Sequence, residues 1–150
     1  MTCLAFSPDG SILASGTMRG TSATHNLGSI HLWDVARGKE LGHFRAHPDL
    51  VRSMSFSPDG KTLASIGLER MIRLWDVATM AEAFPRSGHQ SPIWTVAVSP
   101  VDGTVFTSGT DRTIRQWDLT SGRELGIVAI ARGSSIRRST SGSWPRVRSS

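Results

Sequence analysis

Large and small side chains alternate along three short segments of the chain, and each segment is followed by the same kind of turn. An alternation of period two predicts a β-strand with one bulky face and one small face. Each turn contains Pro and Gly, whose preferred torsion angles suit a tight hairpin. The strands read CLAF, SMSF and TVAV at residues 3–6, 53–56 and 95–98, and the turns read SPDG, SPDG and SPVDG at residues 7–10, 57–60 and 99–103.

The strands and turns belong to a repeat of fixed period. Trp-Asp pairs begin at Trp33, Trp75 and Trp117, so the two intervals between them are equal. The turns that begin at Ser57 and Ser99 are separated by this same interval, whereas the turn at Ser7 lies further from the turn at Ser57. The first repeat is therefore longer than the others, and its extra residues fall within 18–28.

The repeats resemble those of the WD-repeat family over about residues 2–130, through SPDG followed by LASG and IHLWDV, LASI and IRLWDV, or FTSG and IRQWDL. The resemblance implies a β-propeller of four-stranded antiparallel blades. Blades are expected at about 1–45, 46–87 and 88–130. On the family template the strands fall near 2–7, 12–16, 29–34 and 39–45 in the first blade, 51–57, 62–67, 71–76 and 79–85 in the second, and 93–99, 104–109, 113–118 and 123–130 in the third.

Three blades are too few to close a ring. A propeller has about four to eight blades, and a chain of 150 residues with this period holds fewer than four. The expected fold is therefore an all-β, incomplete β-propeller whose end blades expose apolar faces, which favours self-association or aggregation. Three explanations stay open: a fragment of a longer propeller, a protomer that completes its ring by oligomerising, and a truncated gene product.

Charge separates the repeats from the C-terminal tail. The net charge is +5, yet the 12 acidic residues are matched by 12 basic residues before residue 131, and five arginines follow. The tail, residues 131–150, is rich in Ser and Arg without a strand pattern, so we expect it to be disordered. Clustered arginines could hold a phosphate backbone, but a solvated or out-of-frame terminus is the preferred interpretation. Nucleic acid is therefore not an expected partner except through this tail.

Other sequence features exclude several classes of function. A single cysteine, Cys3, forms neither an intrachain disulfide nor a cysteine-rich metal site. Apolar runs long enough to span a bilayer and a cleavable leader are both missing, so a cytoplasmic protein without membrane partners is expected. His25, His31 and His43 are scattered along the sequence, and phosphate-binding glycine loops are missing. Neither a cofactor nor a metal site is expected.

One group of residues in the third repeat resembles catalytic machinery. His89, Thr107 and Asp111 offer an imidazole, a hydroxyl and a carboxylate. The family resemblance implies instead a buried structural network that includes Trp117, in which the polar groups satisfy one another. The second repeat has Glu69 in place of the aspartate, one methylene longer, so its network should be strained or water-assisted. Its other members are His47, Ser65 and Trp75, while the first repeat retains only Ser15 and Trp33.

The resemblance also implies where a binding surface lies. In this family the loops that enter the first strand and join the second and third build one rim of the ring. Arg52 and Trp94 occupy equivalent positions there, should be neighbours, and are of types enriched at binding hot spots. The longer first repeat inserts a loop at the same rim. The other candidate contact residues are Leu50, Leu68, Pro92 and Thr110, with Arg19 and His25 of the inserted loop.

The sequence therefore predicts a protein-interaction scaffold without catalysis of its own. Its expected partners are other proteins or further propeller blades. A regulatory or sensor segment of a larger multidomain protein, for example one fused or adjacent to a kinase, is the first alternative, and a non-functional truncated product is the second. An enzyme using the propeller face would need an ionisable cluster, and a nucleic-acid binder would depend on the tail.

Overall fold

The computed structural model describes residues 3–18, 28–83, 87–89, 91–130 and 136–138. Within these ranges thirteen strands form three antiparallel sheets, each in chain order, and none of the residues is helical. The first sheet, blade one, comprises β1 (Cys3–Phe6), β2 (Ile12–Gly16), β3 (Gly28–Asp34) and β4 (Lys39–His47). Blade two comprises β5 (Ser53–Phe56), β6 (Thr62–Ile66), β7 (Met71–Asp76) and β8 (Ser87–Gly88). Blade three comprises β9 (Ile93–Val98), β10 (Val105–Gly109), β11 (Thr113–Trp117), β12 (Glu124–Ile130) and β13 (Ile136–Arg138).

The SPDG turns close the first hairpin of each blade, as the sequence predicts. In blade one Gly10 N donates to Ser7 O at 2.9 Å, and Ser7 Oγ donates to Asp9 Oδ1 at 2.6 Å. Gly10 has a φ of 71°, a left-handed conformation that favours glycine. Gly60 and Gly103 have φ values of 70° in the equivalent turns. The predicted hairpin turns are therefore confirmed.

Apolar side chains are buried where one blade meets the next. The contact between blades one and two sets small and branched side chains of the first against bulky side chains of the second, in agreement with the predicted two-faced strands. Its buried members are Ala14, Ile30, Leu32 and Ala46 with Val51, Met54, Phe56, Leu63 and Trp75. A second core of the same kind joins blades two and three: Ala64, Ile66, Ile72 and Leu74 with Ile93, Val96, Val105 and Trp117.

Blade one leaves its bulky face uncovered in the described part of the chain. Leu4 and Phe6 are 52% and 60% exposed, whereas Met54 and Phe56, at the same register in blade two, are each 7% exposed. The difference arises because blade one covers Met54 and Phe56, while the described residues place no blade against Leu4 and Phe6. The exposed pair is the apolar face that the incomplete ring predicts.

The fourth strand of blade two differs from the predicted strand at 79–85. Residues 81–83 do run beside β7, since Asp76 N donates to Ala81 O at 2.9 Å and Ala83 N to Leu74 O at 2.7 Å. The regular pairing with β7 lies further on, at Ser87–Gly88. Residues 84–86, which separate these two contacts in the sequence, lie outside the described residues.

The structure describes three residues of the expected tail. Ile136–Arg138 form β13 and pair antiparallel with β12, within the segment for which the sequence predicts disorder. The outer edge of β12 offers unpaired backbone groups, and a short strand can pair there whatever its side chains are. Residues 131–135 and 139–150 lie outside the described residues. Blade one also extends slightly beyond its expected end at residue 45, since β4 continues to His47.

We predict that the uncovered face of blade one drives self-association of the 16.2 kDa chain. The double variant Leu4→Ser and Phe6→Ser removes two exposed apolar side chains and should raise the monomer fraction in light scattering. Val101→Ser is the matched control, because Val101 is 91% exposed and lies in a turn away from this face. A parent chain that is monodisperse at 16.2 kDa would contradict the prediction.

Candidate functional site

Four predicted network residues of blade three lie together. His89 Nε2 is 2.7 Å from Thr107 Oγ1, and Trp117 Nε1 donates to the same oxygen at 2.8 Å. On the other side of the imidazole, His89 Nδ1 is 3.1 Å from Asp111 Oδ2. One proton arrangement satisfies every group: the Thr107 hydroxyl donates to Nε2, and the Nδ1 proton is donated to the carboxylate. The four side chains therefore form one continuous chain of hydrogen bonds.

Blade two has the same arrangement with a longer acid. His47 Nε2 is 2.7 Å from Ser65 Oγ, which also accepts from Trp75 Nε1 at 2.8 Å. Glu69 Oε1 reaches His47 Nδ1 directly at 2.5 Å, so the contact needs no bridging water. The extra methylene has another effect, because Glu69 Oε2 is buried without a hydrogen-bond partner among the described residues.

In blade three the acid is better satisfied because a local turn holds it. Asp111 Oδ1 accepts from Thr113 N at 3.0 Å and from Thr113 Oγ1 at 2.7 Å, which leaves Oδ2 for His89. Blade one contains only the first link of the chain, from Trp33 Nε1 to Ser15 Oγ at 2.9 Å. The three blades thus range from one link in blade one to a complete network in blade three.

Two glycines that the sequence analysis did not single out make room for the imidazoles. A Cβ at Gly109 would lie 3.0 Å from His89 Nδ1, and a Cβ at Gly67 would lie 2.8 Å from the His47 ring. A larger residue at either position would force the imidazole or its acid to shift. The sequence does indicate a shared role for these two glycines, since Gly67 and Gly109 occupy the same position of consecutive repeats, at the end of the second strand.

Both acids are held in their charged form. Burial raises the pKa of Asp111, but hydrogen bonds from Thr113 and His89 outweigh it and leave the pKa below its ordinary value. Burial likewise raises the pKa of Glu69, and the hydrogen bond and electrostatic interaction with His47 lower it further than burial raises it. Each carboxylate is therefore stabilised by the network that it completes.

These groups are poorly placed for catalysis. A catalytic hydroxyl must reach the substrate and transfer its proton to the base. Thr107 is only 1% exposed and Ser65 is fully buried, and each already accepts a hydrogen bond from an indole N–H. The geometry favours a structural function, namely tying the loop before the first strand to the second and third strands of a blade.

The structure brings the two leading rim residues together. Arg52 Cζ lies 4.2 Å from the centroid of the Trp94 ring, and Trp94 is 55% exposed. Leu68, Pro92 and Thr110 are also exposed beside them, and Leu50 is partly buried. We call Arg52, Trp94 and these four residues the rim surface. Arg19 and His25, the other candidate contact residues, lie outside the described residues.

The opposite edge carries a groove that the sequence analysis did not predict. It has a volume of about 310 Å³ and lies between the SPDG-type turns of blades two and three. Its carboxylates are occupied by their own turns: Asp59 accepts from Ser57 Oγ at 2.6 Å, and Asp118 accepts from Ser121 Oγ at 2.8 Å. The groove is therefore lined by acids that already have partners.

Two of the three histidines that were expected to be scattered are in contact, so that expectation is wrong for His31 and His43. Their rings stack with centroids 5.0 Å apart, and each Nδ1 contacts Glu40 Oε1, at 2.8 Å from His31 and 2.9 Å from His43. The hydrogen bond from His31 leads the effects that hold the pKa of Glu40 below its ordinary value. His25 lies outside the described residues.

A backbone irregularity explains why the sequence did not predict this cluster. Residues 40 and 43 of a regular strand face opposite sides. In β4 the register shifts by one residue, because Leu32 pairs with Gly42 and Trp33 pairs with Glu40. Leu41 is the extra residue of this β-bulge. The bulge turns Glu40 onto the face of His43, which pairs directly with His31.

Comparison with known proteins agrees with the fold and the repeat. The family model described as WD domain, G-beta repeat matches the chain three times, at residues 1–34, 38–76 and 83–118. The chain belongs to the WD-repeat family. WD-repeat propellers are typically interaction scaffolds without catalysis, and the match indicates no enzyme family.

Similar WD-repeat proteins are much longer than this chain. Centriole proteome protein 16 of Chlamydomonas reinhardtii is 31% identical over 45% of the chain and 4% of its own length. Coronin-like protein of Saccharomyces cerevisiae is 42% identical over 30% of the chain and 7% of its length. WD repeat and SOCS box-containing protein 1 of Danio rerio is 36% identical over 45% of the chain and 14% of its length.

A solved structure supports the propeller architecture. The β-propeller domain of Myceliophteria thermophila Cps50 (Swd1) superposes with a TM-score of 0.71 at 21% identity. The match covers 85% of this chain and 38% of that one. At this identity the likeness concerns the WD-repeat fold alone. In keeping with an all-β fold, the described residues contain no helix that could cross a membrane.

We predict that His89→Ala and Asp111→Ala each lower the free energy of unfolding by about 1–3 kcal/mol, because each leaves a buried partner unsatisfied. The measurement is the urea midpoint of each variant at one chain concentration. Thr110→Ala is the control, since Thr110 is exposed beside the network and outside it. Unchanged midpoints for both network variants would show that the hydrogen bonds contribute nothing.

The lowered pKa values of Asp111 and Glu69 also predict a pH dependence. Both pKa values lie below those of the unfolded chain, so their contribution is fully present above the ordinary carboxyl range of about pH 4 and is lost as pH falls below it. The double variant Asp111→Asn and Glu69→Gln should therefore lose less stability than the parent between about pH 5 and pH 3. Urea midpoints across that range test this, and parallel curves would contradict it.

Proposed function

We propose that this WD-repeat chain is a protein-interaction scaffold that binds partner proteins through the rim surface and has no catalytic activity of its own. The observation that carries the proposal is the exposed Trp94 ring held against Arg52. Tryptophan and arginine are the residue types that most often dominate binding energy. Because Trp94 and Arg52 occupy the same position of adjacent blades, the pair is a feature of the repeat register.

Preorganisation supports this role. A guanidinium over an indole face gains about 0.5–1 kcal/mol at an exposed site, so the ring has little conformational freedom to lose when a partner binds. The rim backbone is also fixed, since Arg52 N donates to Ile66 O at 2.8 Å and Thr110 N donates to Pro92 O at 3.0 Å. An aromatic anchor at the start of a strand, beside braced loops, is a suitable platform for recognition.

Residue type indicates the chemistry of the partner. The indole, Pro92 and Leu68 offer apolar contact, and Arg52 supplies a positive charge that pairs best with a carboxylate. The partner segment that fits is an apolar protein surface with an acidic residue at its border. We place this interaction in the cytoplasm. The single cysteine, Cys3, cannot form an intrachain disulfide, and reduced cysteines are usual in that compartment.

A second role is favoured by a different observation. The bulky face of blade one, with Leu4 and Phe6 exposed, has the composition of the face that blade two buries. We propose that further propeller blades pack on it, as part of a larger WD-repeat protein or from another chain. The length of the relatives, of which this chain spans 4–14%, supports this arrangement.

We predict that Trp94→Ala weakens partner binding about 30-fold, since truncating a hot spot costs about 2 kcal/mol or more. Partners captured by the parent chain are identified by mass spectrometry, purified, and titrated against each variant by calorimetry. Arg52→Ala should weaken binding less than Trp94→Ala, because it removes the brace and leaves the anchor.

Lys61→Ala is the control on the opposite edge, where Lys61 is exposed in an SPDG turn. It should leave the affinity unchanged. If Lys61→Ala is as damaging as Trp94→Ala, the interaction surface lies on the other edge. Unfolding midpoints of the variants distinguish lost contact from lost structure.

A further inference from the structure

Three ligand-type side chains converge on blade one outside the network and outside the rim surface. His31, Glu40 and His43 each offer one atom that could bind a metal, and these three atoms all lie within 4.8 Å of one another. They come from paired strands, since His31 lies directly opposite His43 and the bulge at Leu41 turns Glu40 onto the same face. The backbone of β3 and β4 therefore holds the three side chains together.

The other blades show what usually occupies this position. Arg115 Nη1 donates to Glu124 Oε2 at 2.9 Å in blade three, and Arg73 Nη1 lies 3.5 Å from Glu82 Oε2 in blade two. The pair in blade two lies one repeat period beyond His31 and Glu40, and the pair in blade three lies two periods beyond them, at the same register. Blade one keeps the acid but has an imidazole in place of the guanidinium, and it adds a second imidazole, His43.

This exchange changes the chemistry of the position. A guanidinium has five donors and no lone pair to offer a metal, whereas a neutral imidazole has one free ring nitrogen. Blade one therefore converts an ion pair into a set of two nitrogen ligands and one carboxylate ligand. Imidazole with carboxylate is a donor set that suits Zn²⁺, Cu²⁺ and Ni²⁺.

We propose that His31, Glu40 and His43 form a three-ligand site for a divalent transition-metal ion of the Zn²⁺ class. Ligands at the usual distance of about 2.0–2.1 Å in a tetrahedron lie about 3.3 Å apart. The two Nδ1 to Oε1 distances, 2.8 and 2.9 Å, are close to this value. Small rotations would admit the ion, because the side chains of His31, Glu40 and His43 are 27%, 36% and 64% exposed.

To bind the ion through Nδ1, each imidazole would carry its proton on Nε2. The three side chains lie on the face that carries Leu4 and Phe6, because Ser15 pairs with both His31 and Leu4.

Calorimetric titration of the untagged full chain with Zn²⁺ tests the proposal. We expect one ion per chain, and at least about 10-fold weaker binding for each of His31→Gln, Glu40→Gln and His43→Gln. Glu124→Gln is the matched control, because it removes the carboxylate at the same register of blade three, which pairs with Arg115, and it should leave the affinity unchanged.

A spectroscopic measurement separates metal binding from any loss of structure. The His31 and Trp33 ring centroids are 6.2 Å apart, so Cu²⁺ at the site should quench Trp33 fluorescence. Trp33→Phe should remove most of this quenching and leave the Zn²⁺ stoichiometry at one. The proposal is overturned if the parent binds no Zn²⁺ in calorimetry, or if the three glutamine variants bind it as tightly as the parent while retaining the parent's unfolding midpoint.

Discussion

Every blade of this chain depends on a neighbour to cover its apolar face. A single four-stranded sheet has two faces, and the cores found here lie between sheets and not within them. Phe56 is buried only because blade one lies against it, and Phe6 at the same register is exposed. Hydrophobic burial is the main favourable contribution to folding, and here it arises at the contacts between neighbouring blades.

The hydrogen-bond networks add to this packing of blade on blade, because they fix the loops that connect the blades. The backbone of His47 pairs with Gly28 in blade one, while its imidazole contacts Ser65 in blade two. His47 thus links two sheets, one by backbone strand pairing and the other by a side-chain hydrogen bond. Loops fixed in this way can hold Arg52 and the start of β9, which carries Trp94, in a constant arrangement, so the buried polar groups would support the proposed binding surface without touching a partner.

The repeat explains which features could be predicted. Its constant period sets the register, which on a propeller template places Arg52 beside Trp94, while the contact of His89 with Thr107 followed from what the family resemblance implies. The turns were equally predictable, because proline and glycine have strong torsional preferences.

Backbone features that the side-chain pattern does not specify could not be predicted in the same way. The bulge at Leu41 reverses the facing of Glu40, and alternation along the sequence gives no sign of it. The short strand at Ile136–Arg138 depends on a backbone edge that becomes available only after folding. Side-chain patterns carry little information about such edges.

Native-state hydrogen exchange tests most directly the claim that stability is gained between blades. Blade two has a neighbour on both faces, so amides of β6 and β7 should be the most protected of the described strands, and those of β2, β3, β10 and β11 should exchange faster. Equal or greater protection of the β2 and β3 amides would mean that blade one is stable without a second neighbour, which would contradict the account.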